Sequence, residues 1–533
     1  MILFWLIALP ALGGVFALLA GRRSPEAARW ISIAALAAGF ALAIPYLGRA
    51  TETGWLAEFS LPWIPRLGIS FHLAMDGLSL LLVLLTYLLG ILSVVVSWRS
   101  IDRRVGFFHF NMLWILTGTI GVFIATDLFL FFFFWELMVL PMFLVIGIWG
   151  HENRNYAAIK FFIFTQASGL LLLVAIVGLA FAHFHTTGVL TFHYDELLGA
   201  ELTAVAQMWL MLGFFVAFAV KVPAFPFHTW LADAHSEAPT GGSVILAGVL
   251  LKTGGYGLIR FVVPLFPEAS AAFAPYAMAM GVAGILYGAK LAFAQSDLKR
   301  LIAYTSISHM GFILLGVFSW NELALQGSVV QMICHGFSTG ALFILAGCLY
   351  DRIHTRDLSR MGGFRDQAPR MAALGLFFAM ASLGLPGLGN FIGEFLVLVG
   401  AFQASVPLTV LATLGVVAAA VYSLWIVQRV FHGTPHSSSR ITDLNLREFG
   451  ALAVLLIGLL WFGLYPKPLL DTADKPLREL RNHASERFER ATELRRHGEA
   501  VFRIPDPGAQ THPVRRTDAP ETHRHSAATI ALP

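Results

Sequence analysis

Apolar runs of about 20 residues recur along most of the chain, from Met1 to about Tyr465. A bilayer's hydrocarbon core is about 30 Å thick and takes roughly 20 apolar residues per helical crossing. Fourteen such runs are counted, near 3–20, 29–47, 77–97, 107–125, 128–148, 159–182, 205–231, 241–262, 274–294, 301–319, 322–349, 371–400, 407–431 and 448–465. Only 13% of the residues are charged, against about a quarter in soluble domains, which excludes a soluble enzyme. The expected fold is an all-α polytopic membrane protein of about fourteen transmembrane helices. The opening run lacks a basic start and is followed by Gly21-Arg22-Arg23 rather than by a small-residue cleavage site. It reads as a retained first span.

The basic residues set an orientation. With the first span running inward, eighteen Lys or Arg fall in the inner loops and span ends, and three, Arg49, Arg66 and Arg260, fall outside. By the positive-inside rule both termini then lie on the outer, periplasmic side of what is expected to be a bacterial cytoplasmic (inner) membrane. The membrane domain ends near residue 466, and residues 467–533 form a polar tail with twelve basic and ten acidic residues. A helix is expected around Lys475 to Glu499 and disorder in the remainder.

A weak internal repeat runs through the middle. Asp127-Leu128 and Asp297-Leu298 each open a span 170 residues apart, and the breaks at Pro223 and Pro386 differ by 163. An interval of five spans is odd, so two copies, approximately 107–262 and 274–431, cross the membrane in opposite senses, the inverted-repeat plan of many transporters.

Charged side chains inside these spans cost at least ~2.5–3.5 kcal/mol each and need a partner or a function. Glu136 sits nine residues past the start of its span, about 13 Å deep at 1.5 Å per residue. Lys221 and Lys252 both follow long apolar stretches. Opposite signs suggest a Glu136–Lys221 ion pair between spans five and seven, whose rearrangement alters the proton affinity of the next charge in line. His309, His335 and Glu394 continue the series, and imidazole titrates near neutral pH. His228 and Lys290 are secondary candidates, Lys290 lying close enough to a span end for its stem to reach the interface. Two spans carry their own breakers, Pro223 and Pro226 beside Lys221 and Leu385-Pro386-Gly387 before Glu394. Such backbone survives at membrane depth only when packed in protein or lining a wet cavity.

The stretch from Lys221-Val-Pro-Ala-Phe-Pro-Phe-His228 through Asp233-Ala-His235-Ser-Glu-Ala-Pro239 to Lys252-Thr-Gly-Gly, with Phe134-Trp-Glu136-Leu, resembles the antiporter-like subunits of respiratory complex I. The likeness covers roughly residues 70–435. A glutamate at 394, where the L and N branches and the cation/proton antiporter subunits place lysine, is similar to the M branch, or chain 4. Ala232 departs from the usual proline, and the tail is longer than expected. The resemblance implies a proton-translocating subunit of NADH-quinone oxidoreductase with Glu136 and Lys221 as coupling pair, Lys252 as central relay, His309 and His335 extending the axis, and Glu394 as terminal group. It implies that NADH, FMN, iron–sulfur clusters and quinone are used elsewhere in the complex, beside neighbouring antiporter-like membrane subunits. The chain shows no Gly-x-Gly-x-x-Gly turn, and only Cys334 and Cys348, so no cofactor or metal is expected in this chain. The alternative reading is a subunit of a Na+ or K+/proton antiporter.

Overall fold

The computed structural model describes residues 1–49, 54–432 and 441–501, with side chains to 488. Helices long and apolar enough to cross a membrane are α1 (Ile2–Ala20), α2 (Pro25–Ala43), α3 (Gly77–Val96), α4 (Val105–Ile124), α5 (Leu128–Trp149) and α6 (Arg154–Thr187). They continue as α7 (Ala204–Lys221), α9 (Thr240–Leu265), α10 (Pro267–Phe293), α11 (Leu298–Phe318), α12 (Glu322–Ile353), α15 (Val406–His432) and α16 (Leu446–Leu464). The remaining apolar run is divided into α13 (Pro369–Ser382) and α14 (Gly389–Ala404). The short α8 (Thr229–Glu237) resumes the line of α7 after a seven-residue break. Among the described residues, α9 and α12 are buried along their apolar lengths, whereas less than a third of α2 and of α16 is buried. Central helices therefore face protein on all sides and can hold charge; peripheral ones face the apolar surroundings.

The departure from helix is a two-stranded antiparallel hairpin, β1 (Ala57–Ile64) with β2 (Ile69–Met75), in register Ala57 with Met75 through Pro62 with Ser70. Gly68 makes its turn at φ 67°, left-handed backbone that glycine adopts without a Cβ clash. The hairpin is tied to the start of α5, where Ser70 donates its backbone N–H to Asp127 at 2.8 Å while Asp127 caps Phe129 and Leu130 at 2.9 and 3.0 Å. This end of the molecule is called the hairpin face. The opposite end carries Arg300, Arg352 and Arg356, with Arg300 on Asp233 and Arg356 on Asp297 and Glu237. It is the arginine-rich face.

Two halves carry matching features. Asp297 caps α11 through Arg300 N–H at 3.0 Å, as Asp127 caps α5. The Leu128 amide donates to Phe192 O at 2.8 Å, and the Leu298 amide to Arg356 O at 2.9 Å, each from the segment that follows the next long helix. Broken lines follow in both halves, α7–α8 and α13–α14, then helices α9 and α15 with π segments at Leu246–Leu250, Leu258–Val262 and Val427–His432.

A final helix, α17 (Lys467–Val501), begins eight residues before the expected Lys475, and the last 32 residues of the tail lie outside the described region. Its leucines and alanines at 469, 473, 477, 480 and 484 are buried.

Candidate functional site

The site grows from the breaks. At Lys221 the α-helical ladder of α7 stops; the Trp230 indole donates to Val220 O at 3.0 Å and the Ala224 amide to Ala219 O at 2.8 Å. These bonds satisfy groups that the prolines leave unpaired. Lys221 is buried, and its ammonium lies 5.2 Å from the Trp135 ring centroid and 5.6 Å from that of Phe161, making no hydrogen bond. The expected Glu136–Lys221 ion pair is therefore open. Glu136 Oε1 is itself buried without a hydrogen-bond partner, and the carboxylate acts on Lys221 only at a distance, with the cation held over ring faces.

Lys252 is fully buried on α9 between its two π segments. A π segment displaces backbone groups from the regular ladder. Lys252 Nζ donates to Ala247 O at 2.5 Å and meets His335 Nδ1 of α12 at 2.7 Å. The His335 ring lies 5.6 Å, centre to centre, from His309 of α11. His309 Nδ1 meets Glu394 Oε1 of α14 at 2.8 Å, and its Nε2 meets Ser382 Oγ at 3.2 Å and the Tyr422 hydroxyl at 3.3 Å. Gln331 donates to the same Glu394 oxygen at 3.0 Å.

Lys252, His335, His309 and Glu394 thus form one buried line across four helices, ending just past the second break. Gly384 makes room for its end: a Cβ there would lie 2.9 Å from Glu394 Oε2, and its φ of 77° is left-handed. Lys221 and Glu136 form a separate group. His228 is buried against Phe225 and Tyr287 within the first break, joined to neither set by a hydrogen bond among the described residues. Lys290 is exposed near the arginine-rich end of α10 and lies in neither set.

Residues the sequence reading missed are Gln331, Ser382 and Tyr422 around His309, and Trp135 and Phe161 around Lys221. Only Gln331 carried a signal, lying one helical turn before His335 on the same face. Chemically, the line offers an ammonium donor, two imidazoles that each accept and donate, and a carboxylate that accepts, which is the set a proton relay needs.

The family described as NADH:quinone oxidoreductase/Mrp antiporter, transmembrane, matches residues 125–421, more than half of the chain. The chain belongs to that family. Among its relatives, NADH-quinone oxidoreductase subunit M of Pseudomonas aeruginosa is 55% identical over 488 residues, 88% of this chain and 96% of that one. A chain of respiratory complex I from Thermus thermophilus superposes with a TM-score of 0.81 at 34% identity, over 90% of this chain and 99% of its own. A chain of the Mrp complex from a Dietzia species shares the fold, with a TM-score of 0.79 at 20% identity over 90% of this chain and 97% of its own. The matched region holds all six principal candidates, from Glu136 to Glu394.

Proposed function

We propose that the chain is the M-type proton-translocating membrane subunit of an NADH-quinone oxidoreductase, and that Lys252, His335, His309 and Glu394 carry the proton. The observation that carries the reading is the buried line itself: 2.7 Å from Lys252 to His335 and 2.8 Å from His309 to Glu394, with one imidazole-to-imidazole step between them. His335 Nε2 is buried without a protein partner, so the ring can receive a proton on Nδ1 from Lys252 and release one from Nε2 toward His309 through a water. Glu136 and Lys221 act as the input switch. When the ammonium leaves the rings of Trp135 and Phe161 for the carboxylate, the two charges pair, and the field on the next ionisable group in line changes with them.

In this reading the halves 107–262 and 274–431 are inverted repeats, supported by the paired aspartate caps, breaks and π segments. The hairpin face is the outer side of a bacterial cytoplasmic membrane, because the basic loops gather at the other face. NADH, FMN, iron–sulfur clusters and quinone belong to other subunits of the complex, and neighbouring membrane subunits cover the partly exposed side of Glu136.

The test is Lys252→Met and Glu394→Gln in the assembled complex, reconstituted in vesicles. Both are expected to lower the protons moved per NADH oxidised, with Lys252→Met the more severe. Pumping at the native ratio in both variants overturns the assignment, and pumping that persists while sodium or potassium exchange is lost points to the antiporter reading instead.

A further inference from the structure

A second charged group shares α9 with Lys252 and has no part in the line just described. Lys252 and Arg260 are the only charged residues on that helix, eight residues apart, or about 12 Å along its axis. Between them stands Tyr256, buried, its hydroxyl on Phe123 O at 3.0 Å and on Ser79 Oγ at 3.3 Å. Arg260 is buried near the hairpin-face end of the helix, bonded to Asp76 and stacked between the rings of Trp55 and Tyr256 at 5.3 and 5.5 Å. Asp76 also caps α3, accepting the Ser79 amide at 2.9 Å.

A cavity of about 260 Å³ reaches this pair from the hairpin face, lined among others by Trp55, Asp76, Tyr194, Asp195, Arg260 and Glu479. Asp195 and Glu479 are exposed at its rim. The Tyr194 hydroxyl and Arg260 Nε are buried without a protein partner, which makes the inner end of the cavity a polar, water-accepting space. Moving inward, a proton first meets carboxylates that attract it, then a guanidinium that repels it and cannot give up its own proton. Beyond lie Tyr256 and Lys252. Fixed positive charge in a narrow polar path is a recognised means of excluding protons.

We propose that Arg260 is the electrostatic barrier that keeps protons of the hairpin-face water from returning to Lys252, held in place by its hydrogen bond to Asp76, which an asparagine oxygen can also accept. The inference rests on the reading of Lys252 as a proton carrier. An ordinary packing pair joining α3 to α9 makes a different prediction, because either half of such a pair is equally necessary. For a barrier, only the positive charge matters. Without it, Asp76 becomes a buried proton acceptor beside Tyr256, and the path opens.

The experiment measures passive proton leak in vesicles holding the assembled complex, with no NADH present. Arg260→Gln is expected to raise the leak on the order of tenfold, while Asp76→Asn and Arg260→Lys stay as tight as the native complex. A tight Arg260→Gln complex overturns the proposal, and so does an Asp76→Asn or Arg260→Lys complex that leaks; the latter two decide the matter where Arg260→Gln fails to assemble. The double variant Arg260→Gln, Lys252→Met separates the two readings. Loss of the leak supports both, and a leak that persists leaves the barrier standing while removing Lys252 from the path it guards.

Discussion

A charged side chain surrounded by hydrocarbon is the most legible kind of functional residue, because its cost of at least ~2.5–3.5 kcal/mol leaves few reasons for its presence. Lys252 and Glu394 were conspicuous on that ground, and both are buried in one connected line. Lys290, close to a span end where its stem can reach the interface, lies exposed. Ser382, Gln331 and Tyr422 escaped for the opposite reason: neutral polar groups are ordinary in helices, and only their convergence on His309 and Glu394 gives them meaning. In the loop between α5 and α6, burial together with the charges of Lys299 and Arg356 pushes the His151 imidazole down to about 3. Its folded value lies below its unfolded value near 6.5. Between those two values the unfolded chain binds the proton that the folded chain refuses, so stability falls as pH drops below about 6.5 and is unaffected above it. His151→Gln is expected to flatten that acid-side loss by about 1 kcal/mol at pH 5.5, after allowance for partial exposure. Thermal midpoints of the purified complex at pH 7.5 and 5.5 check it, and an unchanged difference between the two pH values rejects it.

Elements were legible where backbone chemistry is coarse. Proline and glycine announced both breaks, and the helices stop at Lys221 and Ser382, beside the groups that need irregular backbone. The π segments flanking Lys252 left no comparable mark, because Leu246–Leu250 and Leu258–Val262 are made of residues that suit an α-helix equally well. The hairpin was hidden between spans, in a stretch too short and too mixed to stand out beside runs of twenty apolar residues. The closest helix contacts are set by small residues. Gly281 of α10 and Gly311 of α11 face each other so closely that a Cβ on Gly311 would lie 2.5 Å from Gly281 O, and one on Gly281 would lie 2.8 Å from Gly311 O. Both obstructions are backbone, which has no rotamer to yield. His309 stands two residues before Gly311 on the same helix, so separating α10 from α11 displaces the imidazole from Glu394. Gly311→Val is expected to destabilise the subunit by about 1–3 kcal/mol and to reduce pumping more than assembly. Heat-inactivation and proton-to-NADH ratios on one preparation measure both, and native values for each contradict the contact.

At the scale of the whole molecule, the membrane body leaves its hairpin face covered by a helix that is itself too polar to cross a bilayer. The buried positions 469, 473, 477, 480 and 484 of α17 recur at three- and four-residue steps, one stripe of a helix lying on a surface. The helix expected from Lys475 onward carries most of that stripe, but its apolar positions are too few among charged neighbours to mark a buried face in the sequence. Ionic and backbone contacts fix the helix in place: Arg478 and Arg481 reach Glu322 at 2.9 Å each, Asp474 accepts from Gln326 at 2.7 Å, and Arg487 donates to Leu198 O and Ala200 O. Those partners come from the α6–α7 and α11–α12 sides, so one helix clasps both halves of the molecule and roofs the cavity at Asp76 and Arg260. Exposed ion pairs are individually worth about 0–1 kcal/mol, whereas burying a leucine contributes about 1.5–3 kcal/mol. The apolar stripe therefore dominates, and the ion pairs set its register. Ending the chain after Pro466 removes the leucines at 469, 477 and 480, bares the surface they pack on, and leaves Glu322 without its arginines. The expected result is a complex that assembles in lower yield, with a thermal midpoint several degrees lower. Glu322→Gln in the full chain removes the ion pairs alone and is expected to shift the midpoint by far less. Equal losses in the two variants would mean that charge, not the buried stripe, holds the helix to the membrane body.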